Sequence, residues 1–297
     1  MPQGRIIRQT GGFYYVDTGD AVIECRARGL FRKQGITPFV GDMAEVELTD
    51  GGKGFVIGLT ARKNSLIRPP VANIDRLLLI LSITDPVPNL LVVDKMLAIA
   101  EYKGIDATIV VTKADLADTN SLCDLYRSVG YEVVCLNSLA DSPQAVAGLI
   151  EGRLCVLAGN TGVGKSTLLN AIDPALALKT GETSQKLGRG RHTTRVTELF
   201  ALCGGLIADT PGFSSLETAQ LELIKKDALE LCFREFAPYL GQCRFTGCSH
   251  TKEKGCAVLS AVQSGEIAAS RHESYLAMYE EARQIKDWEV SAWRADV

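Results

Sequence analysis

Gly159–Asn160–Thr161–Gly162–Val163–Gly164–Lys165–Ser166 reads as a phosphate-binding turn. An apolar strand, Leu154–Ala158, runs into it, and a helix beginning at Ser166 runs out. The glycines let main-chain N–H groups converge on phosphate oxygens, and the positive end of the helix adds to the field. Lys165 is placed to reach the outer phosphates and Ser166 to put its hydroxyl on magnesium. Gly159, Asn160, Thr161, Gly162, Val163, Gly164 and Thr167 complete the candidate nucleotide contacts.

Working outward, Asp209–Thr210–Pro211–Gly212 follows a second apolar strand, Gly205–Ala208. Asp209 is a candidate for a magnesium-bound water and the Gly212 N–H for the γ-phosphate. Upstream of the phosphate turn stands Val111–Thr112–Lys113–Ala114–Asp115. The Asp115 carboxylate can accept from guanine N1–H and its exocyclic amine. Adenine lacks that donor pair, so the discrimination amounts to roughly 2–4 kcal/mol. Lys113 would lie along the base and brace the loop. Thr112 stands where such segments usually carry asparagine, with one amide donor fewer. Asn137–Ser138, after another strand, could supply a main-chain contact to guanine O6. In ordinary small GTPases the base-reading segment follows the phosphate turn; here it precedes it. The pattern is that of a GTPase whose elements are circularly permuted.

Between the two phosphate motifs lies Gly188–Arg189–Gly190–Arg191–His192–Thr193–Thr194, where a first switch should be. Either Thr193 or Thr194 would ligate magnesium; spacing alone does not choose. Residues 213 and 214 are Phe and Ser, so the water-orienting glutamine that usually follows the second motif is missing. His192 is the best internal candidate to position or deprotonate water, with Lys165 and the two threonines beside it in the catalytic set. Arg189 and Arg191 could instead neutralise developing charge or touch RNA phosphate.

Cys243, Cys248, His250 and Cys256 fall within fourteen residues and match a closed, structural, tetrahedral zinc site. The other six of the nine cysteines, Cys25, Cys123, Cys135, Cys155, Cys203 and Cys232, are scattered through apolar or mixed stretches, which suits a reducing cytosol. No signal stretch follows Met1, and the longest apolar run, Leu77–Leu81, is too short to cross a membrane. A cytoplasmic protein with no membrane partner is expected.

The 297 residues divide into three. Residues 1–69 hold short strands punctuated by glycine, at Arg5–Ile7, Phe13–Val16, Ala21–Arg26, Met43–Leu48 and Phe55–Leu59, the pattern of a small oligonucleotide-binding (OB-like) β-barrel. Although the chain's formal charge is −3, residues 1–70 carry ten lysines and arginines against seven acids. Arg26, Arg28, Arg32 and Lys33 could line an RNA-facing loop or form a solvated charged face. Residues 70–216 alternate strands with helices (Leu90–Tyr102 and Asn120–Ser128 among them), predicting an α/β domain on a parallel sheet. Residues 217–297 read as mostly helical, over Leu221–Phe236 and His272–Lys286, around the zinc loop.

Taken together these motifs resemble the bacterial ribosome small-subunit-dependent GTPase A family, circularly permuted assembly GTPases. Arg271 and Tyr275 fit the family pattern too. The resemblance implies a multidomain chain: an N-terminal OB-like barrel, a permuted α/β P-loop GTPase domain and a helical zinc-binding domain. It implies a monomer that hydrolyses GTP to GDP with Mg2+, carries one structural Zn2+, and acts late in assembly of the small (30S) ribosomal subunit. The partners would be that subunit and its 16S rRNA, with no DNA. His192 matches the histidine proposed for catalysis in the family. One rival reading is an RNA-binding assembly chaperone for which GTP is mainly a timer. The other is a metabolic P-loop kinase, which Asp115 argues against.

Overall fold

The structure is a computed structural model, and it describes residues 1–49, 51–67, 69–137, 143–176, 197–209 and 222–285. The expected switch Gly188–Thr194, with His192, Thr193 and Thr194, lies outside the described residues, as do Ser138 and Gly212.

The first five strands, β1 (Gln3–Thr10), β2 (Phe13–Asp17), β3 (Val22–Ala27), β4 (Met43–Leu48) and β5 (Lys53–Leu59), pair in the order β1-β2-β3-β5-β4. Pairing of β4 back onto β1 closes the barrel. Period-two burial drives it: Ile6, Tyr14, Val16, Ile23, Cys25, Ala44, Val46 and Val56 point inward while their neighbours face out. A short helix α1 (Gly29–Lys33) follows β3. The expected loop carrying Arg32 and Lys33 is therefore helical there, and the nearer arginines are already engaged. Arg26 lies 4.6 Å over Phe13, and Arg28 pairs with Glu47.

A two-stranded hairpin, β6 (Ser65–Leu66) with β7 (Val71–Ala72), follows the barrel. Its β7 docks on the barrel, with Ala72 N–H donating to Val40 O at 2.8 Å. Gly41, at φ +94°, leaves no room for a side chain there: a Cβ would fall 2.2 Å from Ala72 O. Beside it the buried Asp42 carboxylate accepts two hydrogen bonds from Arg62, both 2.8 Å, and one from Phe39 N at 2.7 Å.

The central sheet uses β8 (Arg76–Ser82), β9 (Asp106–Thr112), β10 (Glu132–Cys135), β11 (Leu154–Ala158), β12 (Thr197–Leu202) and β13 (Gly205–Asp209). Its order is β10-β9-β8-β11-β13-β12, parallel except for β12. The antiparallel β12 was not anticipated. It also pairs with β1 (Arg8 opposite Glu198), so barrel and central sheet form one continuous eleven-stranded sheet.

Alternating side chains of β8 serve two layers. Leu77, Leu79 and Leu81 join a core with α2 (Leu90–Lys103) and α3 (Asn120–Ser128). Leu78 and Ile80 join one with α4 (Pro143–Ile150) and α5 (Lys165–Ile172). Both faces being covered explains the uninterrupted apolar run. Helix α2 is buried continuously from Val92 to Ala100, because the C-terminal helices cover its other side.

Over its described residues, 222–236, the expected helix Leu221–Phe236 is instead broken into α6 (Lys226–Leu229) and two 3-10 turns, Glu230–Cys232 and Arg234–Tyr239. Phe233 is extended between the turns, and Pro238 sits in the second. After the cysteine loop come α7 (Ala257–Ser264) and α8 (Ala269–Gln284). The C-terminal unit is bound to α2 by charge. Arg271, 1% exposed, donates to Asp94 (2.6 Å) and to both oxygens of Glu235 (2.6 and 3.2 Å). Tyr126 of α3 donates to the same Asp94 oxygen at 2.9 Å. Burial alone would lower the guanidinium's pKa, but Glu235 and Asp94 outweigh it and raise it. Lys95 with Glu281 and Arg234 with Glu101 add outer pairs.

Truncating Arg271 would strand two buried carboxylates. Arg271→Met is expected to cost about 3–5 kcal/mol, read from urea unfolding of the zinc-loaded protein. Arg271→Lys should not restore it, since an ammonium cannot make the forked contact to Glu235.

Candidate functional site

Parallel strands present their C-terminal ends on one edge, and there β9, β10, β11 and β13 deliver Thr112, Leu136, Gly159 and Asp209. β8 separates β9 from β11, in register Leu79 with both Ile109 and Ala158. The reversed chain order of the two motifs therefore has no spatial consequence.

Leaving β11, Gly159 takes φ +151°, and a Cβ there would lie 2.3 Å from Ile80 O. The turn is pressed onto the neighbouring strand's main chain, which only glycine permits. Gly164 in the left-handed region, φ +94°, ends the turn and starts α5 at Lys165. The Lys165 ammonium bends back over the turn, donating to Gly159 O (2.5 Å) and Asn160 O (2.7 Å). It is thereby centred over the main-chain cradle. Ser166 is half-buried in the first turn of α5, with Thr161 and Thr167 exposed at the rim. Asp209 ends β13, its main chain paired with Glu198.

Thr112, fully buried at the end of β9, joins the two motifs. Its hydroxyl lies 2.7 Å from Val163 O inside the phosphate turn and 3.1 Å from Leu81 O. One hydroxyl proton serves both, and the shorter contact takes the larger share. A threonine here thus makes the bridge without an amide. Lys113, at φ +58°, donates to Asp85 O. Ala114 N–H donates to Leu136 O at 3.1 Å, and Leu136 N–H to Val111 O at 2.8 Å. The Asp115 carboxylate is left exposed at the mouth, near exposed Asn137. Asp85 and Leu136 act through main-chain atoms alone, so nothing in their side-chain chemistry marked them.

The second site lies beyond the α2 interface. The ligand atoms of Cys243, Cys248, His250 and Cys256 all fall within 4.8 Å of one another. His250, at φ +56°, turns Nδ1 toward Cys256 Sγ (3.4 Å) and Cys243 Sγ (3.6 Å). Its Nε2 lies 2.9 Å from a Glu230 carboxylate oxygen, which fixes Nδ1 as the ligand and Nε2–H as the donor. Ala257 N–H donates to Cys243 Sγ and Leu259 N–H to Cys256 Sγ, each at 3.4 Å, as thiolates require. Burial pushes the Cys248 thiol up to about 12, so ionising three crowded sulfurs needs a doubly charged partner. The donor set fits a four-coordinate structural zinc with no open position.

The loop around it is braced by Glu253. Burial opposes ionisation there, yet hydrogen bonds from Ser249 and from the main-chain N–H groups around it bring the carboxyl down to about 2. Tyr275 and His272 of α8 donate to or face the carbonyls of Ser249 and His250, at 2.9 and 2.8 Å. Glu230, twenty residues upstream of His250, carried no spacing signal in the sequence.

Comparison with known proteins identifies the family. The RsgA GTPase family model matches residues 59–219, and the RsgA N-terminal domain model matches residues 3–56. The small ribosomal subunit biogenesis GTPase RsgA of Geobacillus sp. (strain WCH70) is 43% identical over 293 residues, covering 96% of this chain and 99% of the relative. Its counterpart from Caldanaerobacter subterraneus subsp. tengcongensis is 42% identical over 287 residues, covering 95% and 96%. Among solved structures, YjeQ from Thermotoga maritima superposes with a TM-score of 0.78 at 32% identity, covering 96% of this chain and 99% of that one. YloQ, a circularly permuted GTPase, gives 0.75 at 36% identity, covering 96% of each chain.

Two substitutions test the geometry. Thr112→Val keeps the shape but leaves the Val163 carbonyl without its partner. GDP binding by fluorescence titration should weaken by about tenfold, within the ~1–3 kcal/mol cost of an unpaired buried carbonyl. Glu230→Gln removes the carboxylate behind His250, and zinc affinity by chelator competition should fall by about 10–100-fold.

Proposed function

Because the chain belongs to the RsgA GTPase family, we propose that it hydrolyses GTP to GDP and phosphate in the biogenesis of the small ribosomal subunit. The observation that carries this is the Thr112 hydroxyl joining the base-reading segment to the phosphate turn, on one edge of a sheet reached in permuted order.

In this reading Asp115 and Lys113 select guanine, while the turn Gly159–Ser166 and Thr167 hold the phosphates with Lys165 neutralising their charge. Ser166, Asp209 and one of Thr193 and Thr194 would hold magnesium, which would supply positive charge against the phosphates. Gly212 would sense the γ-phosphate and Ser138 contact the base. Water attacks the γ-phosphorus, and the bond to the bridging oxygen of the leaving GDP breaks. With Phe213 in place of a glutamine, His192 is assigned to orient that water. Docking on the subunit completes this geometry, so hydrolysis is tied to the maturity of the subunit through the different affinities of the two nucleotide states.

Residues 1–69, 70–216 and 217–297 act as RNA-binding barrel, GTPase domain and zinc domain of a monomer on the 30S subunit and its 16S rRNA. The barrel has a cleft of about 520 Å³ lined by Phe13, Arg26, Arg28, Phe31 and Ile36, where Arg26 and Arg28 would exchange their contacts with Phe13 and Glu47 for the phosphates of single-stranded RNA. No helix among the described residues is long and apolar enough to cross a membrane, and a cytoplasmic location accords with this work on ribosomes.

GTP and ATP hydrolysis, measured with and without purified small subunits, tests the proposal. GTP-specific turnover stimulated by the subunit and lost in Lys165→Ala is the expected result. Nucleotide-dependent subunit binding without stimulation would identify a timed assembly chaperone in its place.

A further inference from the structure

Two thiols outside the zinc cluster meet directly. Cys123 of α3 and Cys135, the last residue of β10, bring their sulfurs to 2.9 Å. A disulfide bond would close that gap by about 0.9 Å, with no element needing to be rebuilt. The environment is asymmetric. Cys123 is 1% exposed, whereas Cys135 is half-buried and reachable. Arg127, paired with Asp124, sets its guanidinium 3.8 Å from Cys135 Sγ and donates to Val133 O at 3.3 Å. The remaining thiols lack this arrangement. Cys25, Cys155 and Cys232 are buried against the carbonyls of Ile23, Leu149 and Ala228, and Cys203 lies alone on a turn.

The pair sits one residue from the base-reading loop. Leu136, next to Cys135, holds Ala114 through its carbonyl and Val111 through its N–H. Any pull on the end of β10 toward α3 is passed to Lys113 and Asp115 through those two bonds.

We propose that Cys123 and Cys135 are a peroxide-responsive dithiol, and that their oxidation to a disulfide weakens guanine-nucleotide binding. The Cys135 thiolate attacks one oxygen of hydrogen peroxide, the O–O bond breaks, and hydroxide leaves to give a sulfenic acid. The Cys123 sulfur then attacks the Cys135 sulfur, the S–O bond breaks and water departs. Two thiols and one peroxide become one disulfide and two waters. Burial pushes the Cys123 thiol up to about 11 and hides it from solvent, so the reachable Cys135 meets peroxide first. The effect on binding rests on reading Thr112–Asp115 as the guanine loop; formation of the crosslink does not.

The test treats the full-length, zinc-loaded protein with stoichiometric hydrogen peroxide. Non-reducing peptide mass mapping, a metallochromic dye for released zinc, and fluorescent GDP and ADP titrations are run in parallel. The expected result is a Cys123–Cys135 crosslink that appears before zinc is released, with GDP affinity about fivefold or more weaker and restored by dithiothreitol. Cys135→Ser and, separately, Cys123→Ala should make GDP affinity insensitive to peroxide. Zinc release without the crosslink, or a crosslink that leaves GDP affinity unchanged, overturns the proposal. A reduced protein that binds ADP as well as GDP would overturn the base-loop reading and the coupling with it, while the crosslink is scored on its own.

Discussion

Parallel pairing of β8 with both β9 and β11 is the constraint on which the rest of the molecule depends. It forces the ends of all three strands to one edge, and so makes the order of the motifs along the chain irrelevant to the site. What matters is that Thr112 and Val163 end up near enough to share a hydroxyl proton. The cost of that proximity is visible in the glycines: Gly159 crosses the main chain of β8 at a distance no side chain would tolerate. A cleft built this way is stiff on the phosphate side, where strands and α5 hold it. It is more adjustable on the base side, where the loop is carried by one hydrogen bond that Leu136 donates, one that it accepts and the Lys113 contact to Asp85 O.

The C-terminal unit meets the central domain through a different kind of interaction. Arg271 is buried with two carboxylates and under two aromatic rings, Phe233 at 4.8 Å and Tyr126 at 5.9 Å. Desolvating three charges is expensive unless each finds its partner, so the contact tolerates little misplacement. Zinc serves the same end from the other side. It gathers a loop with little core of its own, and through His250, Ser249 and Tyr275 fixes that loop to α8, the helix that carries Arg271. Metal, arginine clamp and α2 are thus one mechanical chain leading to the central sheet.

Short motifs with built-in geometry were legible without coordinates. The phosphate turn, the base-reading segment and the cysteine cluster each specify a local backbone or a ligand set. Alternation of apolar residues marked β4 residue for residue and placed most other strands within a few positions. Helix periodicity found α2, α3 and α8. It failed over Leu221–Phe236, where apolar residues recur at helical spacing yet pack as separate turns around Phe233 and Phe236, whose ring centroids are 5.3 Å apart. There tertiary packing of the aromatic cluster overrode local propensity. The helix α4 and the hairpin β6–β7 went unmarked because each is short and takes its stability from the surfaces it covers.

The sequence by itself determined the three-part organisation, the permuted nucleotide site and the zinc ligands, because each rests on residue types at fixed short spacing. Only the tertiary structure decided what spans long separations. It revealed that β1 and β12 fuse barrel and central sheet, that Glu230 backs His250, and that Arg271 reaches Asp94 across 177 residues. It also brought Cys123 within bonding reach of Cys135. Such contacts leave no pattern along the chain: their energy comes from desolvation and close approach, which exist only once the strands and helices have packed.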